Sequence, residues 1–335
     1  MFSKVPKILT IGGLSLDIML ETDEFEMIEN KKDIMREKLM GFEYGAKVIM
    51  QNTRMTHGGG AANTAVNFAQ LGFSVSIMAC IGVDAIGKDA VQYLKGKKVK
   101  TKWMQRTKDA STATSVIVSG KDTRDHVAFV SRGATADLVI HKGELKAIKP
   151  EWIYITSLAG HRSEINLDAI FDYAKDTNVN IAWNPGSKQI ASGCEALAKH
   201  IERTAVLIVN KDEAIEMVCS LGTEINEVPE LLRKLHNYGP HLVCITCGED
   251  GAYAYNGNEI IHHKALDVER VNTTGAGDAF GSTFTASYAK KRNMKQALSS
   301  ALVSSSEVIQ RVGAQEGFPS WEKIATIIKQ RQLPM

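Results

Sequence analysis

Short apolar runs alternate with helix-periodic segments from the first residues of this chain into its last third, and no other feature narrows its fold as much. The runs KILTIGG, SVSIMAC, EWIYIT, VNIAWN, TAVLIVN and HLVCIT read as central strands. Between them, AANTAVNFAQLG, AIGKDAVQYLKG, EINLDAIFDYAKD and KDEAIEMVCS carry apolar residues at helical spacing. A strand buried on both faces loses its polar alternation, and parallel neighbours need a crossover helix between them. The pattern therefore predicts an α/β fold with a largely parallel sheet covered on both faces. Near the end, AGDAFGSTFTASYAKKRNMKQALSSALVSSSEVIQRVG reads as two successive helices.

Two segments break the alternation. Residues 20 to 57 open on the charged ETDEFEMIENKKDIMREK and end in the β-prone AKVIMQNTRMTH. Residues 111 to 131 read as two paired strands around a polar KDTRD turn. A small β lid or a pair of surface insertions would each produce this pattern.

Composition removes several classes of function. The chain has 335 residues, 44% hydrophobic and 23% charged, with a net charge of +2. That is a globular balance, with no charge excess to favour nucleic acid or a membrane surface. Gly12, Gly13 and Asp17 interrupt the apolar N-terminal run, so it reads as a buried strand and not as a signal peptide. No apolar stretch is long enough to span a bilayer. Five scattered cysteines fit a reducing cytoplasm. Cys244 and Cys247 form a C-x-x-C, but residues three apart on a strand point to opposite faces. They read as core thiols, and no second pair has zinc-ligand spacing.

Three stretches bear on chemistry. GVDAIGKD resembles a phosphate loop but ends in Asp89 where a hydroxyl is needed for magnesium, so it reads as a strand-to-helix turn. HGGGAANTAVNFAQLG opens a helix on three glycines and carries Asn63. Such a turn is a tight helix entry, or a place where backbone at Gly58 and Gly59 approaches a polyol while Asn63 hydrogen-bonds it. Asp17 follows the first strand, where α/β sheets bind ligands, and reads as a helix cap or surface turn, or as a carboxylate suited to paired hydroxyls. The third stretch, VNTTGAGDAF, sets Gly275, Ala276 and Gly277 directly before Asp278 at the mouth of a helix. Small residues there let amides approach an anion, which the helix dipole favours. Asp278 would repel phosphate, but it would accept a proton from a hydroxyl attacking phosphorus.

Taken together, GGGAANTAVNFAQLG and NTTGAGDAF, with VNKDEA, TCGEDGA and IGVDAIG between them in order, resemble the ribokinase-like (PfkB) family of carbohydrate and nucleoside kinases. The resemblance implies one doubly wound α/β domain over residues 1–335, with lid segments from about 14–56 and 111–132. It implies transfer of the γ-phosphoryl group of ATP, with Mg2+, to a hydroxymethyl group of a sugar or sugar-like molecule. Carried over residue by residue, Asp278 is the general base and Gly275, Ala276 and Gly277 form the anion hole. Asp17, Gly58, Gly59 and Asn63 hold the acceptor, while Asn210, Thr246, Gly248, Gly275 and Gly277 lie along the nucleotide. Glu213 and Asn210 organise magnesium through water. Arg124 and Arg132, in the lid, are either surface arginines or residues that reach the phosphates, and the resemblance leaves room for a homodimer through the lid.

The chain also departs from the family. Asn272 stands where an aspartate usually supports a monovalent cation, which argues against such a site. YITSLAGH lacks the glutamate of ribose-specific members, and ALSSALVSSSE lacks an obvious adenine-side asparagine. An adenosine-type nucleoside kinase is the alternative, with Phe42, Tyr44 and Phe129 as an aromatic slot for the base. A catalytically silent binder on the same fold is disfavoured, because it would not need a base at position 278.

Overall fold

The computed structural model describes residues 5–29, 38–120, 126–219 and 225–334. All six runs read as central strands pair in parallel, in the order Ser74–Met78, Lys7–Ile11, Trp152–Ile155, Asn180–Trp183, Val206–Asn210 and Val243–Thr246. Two antiparallel strands, Ala252–Tyr255 and Ile260–His263, extend the sheet beyond Val243–Thr246. Sequence reasoning passed over both, because each is only four residues long and the polar NGNE separates them.

Side chains alternate across the pleat, so each central strand feeds two cores. Ile8, Tyr154, Ala182, Ile208 and Cys244 face one side, packing on the helices Gly60–Gln70, Ala85–Gly96, Ala276–Lys291, Met294–Ile309 and Trp321–Gln330. Leu9, Ile153, Trp183, Leu207 and Ile245 face the other side, against Lys142–Ile148, Ser163–Thr177, Gly193–Ile201, Lys211–Cys219 and Val228–His236. This is a doubly wound sheet. Lys7–Ile11 has Ser74–Met78 on one flank and Trp152–Ile155 on the other, so the crossovers diverge there. Such a switch point opens a crevice beyond the carboxyl ends of the strands.

A second sheet stands over that crevice. Its order is His126–Ser131, Ala113–Ser119, Ser15–Glu21, Asn52–Gly58. The hairpin expected in the second segment is present, with Ala128 opposite Ile117, although its KDTRD turn, including Arg124, lies outside the described residues. An inner strand of this sheet, Ser15–Glu21, lies within the lid segment expected from about residue 14. It pairs antiparallel with Asn52–Gly58 and parallel with Ala113–Ser119, across nearly a hundred residues of chain. Within the first segment, Glu26–Glu29 and Lys38–Gly41 form a separate exposed ribbon.

Other local expectations have direct physical outcomes. In GVDAIGKD, the Asp84 carboxylate accepts from the Gly87 amide at 2.8 Å and from the Thr112 amide at 2.7 Å. It caps the helix Ala85–Gly96, so the segment is a turn. Cys244 is buried in its strand and Cys247 lies past the strand end, both as free thiols. Among the described residues, no helix is long and apolar enough to cross a membrane.

Candidate active site

The helix Ala276–Lys291 points its N-terminus into the crevice. Its cap, Gly275, has φ 84°, and a β-carbon there would lie 2.6 Å from the Ala314 carbonyl oxygen. Glycine is required on both counts. Gly277 differs, because a β-carbon on it would meet nothing within 4 Å, leaving space above its amide. The Ala276 N–H donates to the Thr273 carbonyl at 3.2 Å. Among the described residues, the Gly275 and Gly277 amides make no such turn bond, which favours them as donors to an anion. Phe280 and Phe284, one and two turns on, are buried and hold the helix end in place.

Asp278 sits in the first turn of this helix, half-buried at the cavity wall. Its Oδ2 accepts from Asn63 Nδ2 at 2.7 Å, joining residues 215 apart in sequence. Burial pushes the Asp278 carboxyl up to about 6, and the nearby Asp17 charge pushes in the same direction, while the Asn63 bond opposes both. A carboxyl in that range is a stronger base than an exposed aspartate, yet is ionised at neutral pH.

One cavity lies on the lid side of Asp278. It is lined by Ser15, Asp17, Gly59, Asn63, Ser115, Arg132, Thr156, Ser157 and Gly275, with Asp278 at its base. Asp17 is a buried residue of the strand Ser15–Glu21, and its Oδ1 accepts from Ser15 Oγ at 2.8 Å. Burial raises its carboxyl, while the hydroxyls of Ser15 and Ser115 lower it. Gly59, at φ 89°, brings backbone to the cavity wall, and a β-carbon there would overlap the Leu14 backbone. Gly58 does not line the cavity. A β-carbon on it would fall 1.8 Å from Asp17 Oδ2, so this glycine makes room for the aspartate.

The second cavity lies on the other side of the same turn. Thr246, Gly248, Gly251, Leu266, Arg270, Thr273, Ala276, Gly277, Phe280, Leu302, Ser305 and Ile309 line it. Thr246 and Gly248 therefore line one cavity with Ala276 and Gly277. Its apolar wall on the helix Met294–Ile309 comes from Leu302 and Ile309, beside Ser305 and Ser306. Arg270 at its rim pairs with Glu249.

Asn210 and Glu213 stand beside this cavity, not in its wall. Asn210 ends its strand opposite Thr246. The Asn210 amide donates to Glu213 Oε2 at 2.8 Å, and Asn210 Oδ1 accepts the Glu213 amide at 2.8 Å. The pair forms a reciprocal cap on the helix Lys211–Cys219, the local reason for an N-x-x-E spacing. Burial raises the Glu213 carboxyl. No cluster of three or more metal-ligating side chains occurs among the described residues.

The aromatic slot expected for a base is absent from the cavity that holds Asp17. Phe42 and Phe129 are exposed and Tyr44 fully so, and none of them lines the cavity. On the strand His126–Ser131 the cavity receives His126, Ala128 and Val130, so period-two alternation turns Phe129 to the opposite face. Arg132 lines the cavity with Asp17 and not the one with Thr246. Sequence reasoning missed Ser15, Ser115 and Gln315. The first two resemble ordinary strand serines, and Gln315 is a single polar residue in a glycine-rich loop.

Comparison with known proteins bears on this arrangement. The pfkB family carbohydrate kinase profile matches residues 28–321. An ATP-dependent 6-phosphofructokinase of Thermoanaerobacterium thermosaccharolyticum is 26% identical, over 88% of this chain and 92% of its own. A nucleoside kinase of Methanocaldococcus jannaschii is 24% identical, over 99% and 100%. The structure of Arabidopsis thaliana ribokinase complexed with ribose and ATP superposes with a TM-score of 0.78 at 19% identity, over 97% of this chain and 99% of that one. With a match over most of its length and the ribokinase fold throughout, the chain belongs to the pfkB family of carbohydrate kinases.

Proposed function

We propose that this kinase transfers the γ-phosphoryl group of ATP to a hydroxymethyl group of a sugar or sugar-like small molecule, with Asp278 as general base. One observation carries the reading: the turn at residues 273–278 is the shared wall of two cavities. Gly277 and Ala276 face the cavity with Thr246 and Gly248, while Asp278 faces the one with Asp17 and Asn63. A phosphoryl group crossing that wall passes the helix N-terminus as its acceptor hydroxyl meets the base. Asp17 and Gly59 hold the acceptor, Asn63 orients the base, and the Gly275, Ala276 and Gly277 backbone stabilises developing charge. Phosphoryl transfer depends mainly on such positioning.

Kinases of this family use ATP with Mg2+. Magnesium keeps several waters and is held largely by substrate phosphates with one or two carboxylates, so a dedicated protein cage is not required. The capped Asn210–Glu213 pair at its strand end fits contact through water. Bound there, the ion would neutralise phosphate charge.

The alternative acceptor is a nucleoside, since one relative is a nucleoside kinase. The serine- and threonine-rich wall, and the outward placement of Phe129, favour a sugar. Purified protein screened against sugars, phosphosugars and nucleosides, with ADP release followed, decides between them. Turnover confined to nucleosides would reverse the preference, and none with any acceptor would remove the reading.

Two further results are expected from this assignment. The acid limb of kcat/KM should fall near pH 6, because a base raised to about 6 is lost as pH drops through that value. A limb near pH 4 would mean that the base is not Asp278. Activity should also change little when potassium is replaced by a bulky organic cation at constant ionic strength. Asn272 lacks the carboxylate's charge, and its Oδ1 already accepts the Thr274 amide at 2.8 Å. Strong saturable activation by potassium would show instead that neighbouring carbonyls suffice.

A further inference from the structure

Gln315 lies between the helices Met294–Ile309 and Trp321–Gln330 and is 7% exposed. Its amide is fully engaged. Nε2 donates to the His57 carbonyl at 3.0 Å and to Asn63 Oδ1 at 2.8 Å, while Oε1 accepts from the Tyr93 hydroxyl at 2.9 Å. A backbone carbonyl can only accept. It therefore decides which way round the Gln315 amide sits, because the reversed amide would set Oε1 against the His57 oxygen. With Nε2 facing Asn63, the Asn63 amide is decided too, Oδ1 toward Gln315 and Nδ2 toward Asp278.

The direction matters for a proton acceptor. A free asparagine would turn over when Asp278 gains a proton, offering Oδ1 to the new O–H and so stabilising the protonated form. Held by Gln315, Asn63 would set two donors against each other if it turned. We propose that Gln315 is a positioning residue for the base, locking the Asn63 amide so that it stabilises only the carboxylate form of Asp278. The lock is built from the lid, since His57 belongs to the strand Asn52–Gly58 and lies opposite Leu16 in the strand that carries Asp17. The same loop backs the anion site, with Ala314 packed against Gly275.

This inference rests on the assignment of Asp278 as base, so its test includes a readout that does not need turnover. The other groups facing Asp278 are Asp17 from the lid strand and Tyr154 from the strand Trp152–Ile155, with His126 and Arg132 on the cavity wall. Carboxyl 13C NMR of the full-length protein follows the titration of Asp278, whose signal is recognised by its loss in Asp278→Asn. In Gln315→Met the Asp278 pKa should rise by roughly one unit, the worth of one hydrogen bond to the charged form. The acid limb of kcat/KM should move with it, and KM for ATP should stay put. Gln315→Leu frees Asn63 in the same way without adding a charge, so it should shift Asp278 in the same direction. It carries the test should Gln315→Met fail to fold. If either variant folds with a lowered Tm while the Asp278 titration is unmoved, Gln315 is merely filler and the proposal is wrong. If no acceptor is phosphorylated by the unmodified protein, the kinase reading fails, and the NMR titration still judges the lock.

Discussion

Asp278→Asn is expected to lower turnover by roughly two to four orders of magnitude, the range for loss of a positioned general base. ATP binding should persist, because the cavity proposed for the nucleotide is built from Thr246, Gly248, Leu302 and their neighbours. The fold should persist as well, because the new amide keeps an oxygen for Asn63 Nδ2. Stability gives an independent check. The Asp278 carboxyl is raised from 3.8 to about 6 in the folded state. Between those values the native protein binds more protons than the unfolded chain, so its stability falls as pH rises through that window. Above it, the ionised carboxylate destabilises the fold by up to about 3 kcal/mol, a little over two units at 1.36 kcal/mol each. Asp278→Asn should therefore melt higher than the unmodified protein at pH 7 to 8, with the difference shrinking below pH 4. Near-normal turnover of the variant with the preferred acceptor would refute the assignment.

Asp17→Ala is expected to raise KM for the acceptor and to reduce kcat/KM by roughly a hundredfold or more. An ionised carboxylate hydrogen-bonding two sugar hydroxyls contributes about 1.5–3 kcal/mol per bond. The buried Asp17 carboxylate has serine hydroxyls as its hydrogen-bond partners, which leaves it acceptor capacity for a ligand. KM for ATP should change little, since Asp17 is absent from the nucleotide cavity. Steady-state kinetics with each substrate varied in turn separates the cases. Equal weakening of both would mean that Asp17 serves to hold the lid strand against Gly58.

Some of this protein is determined locally, and that part was legible in the sequence. The six central strands stood out because burial on both faces demands near-continuous apolar residues, whatever their neighbours. Gly275, Gly277 and Asp278 are read from adjacent positions, because a helix N-terminus binds anions through its own amides. Asp84 could be recognised as belonging to a turn on chemical grounds alone. Tertiary structure decided the rest, wherever a partner is distant or a face ambiguous. The place of Ser15–Glu21 inside the second sheet is set by its pairing with Asn52–Gly58 and with the distant Ala113–Ser119. Phe129 faces away from the acceptor because register, and not hydrophobicity, selects which alternate residues enter a cavity. Gly58 is glycine because Asp17 occupies the space of its missing side chain. Asn63 donates to Asp278 from 215 residues away, and Gln315 meets Asn63 across 252. A hydrogen bond leaves no periodic trace in sequence, so Asp278 and its neighbouring glycines stood out while the bonds that tie Asn63 and Gln315 to it did not.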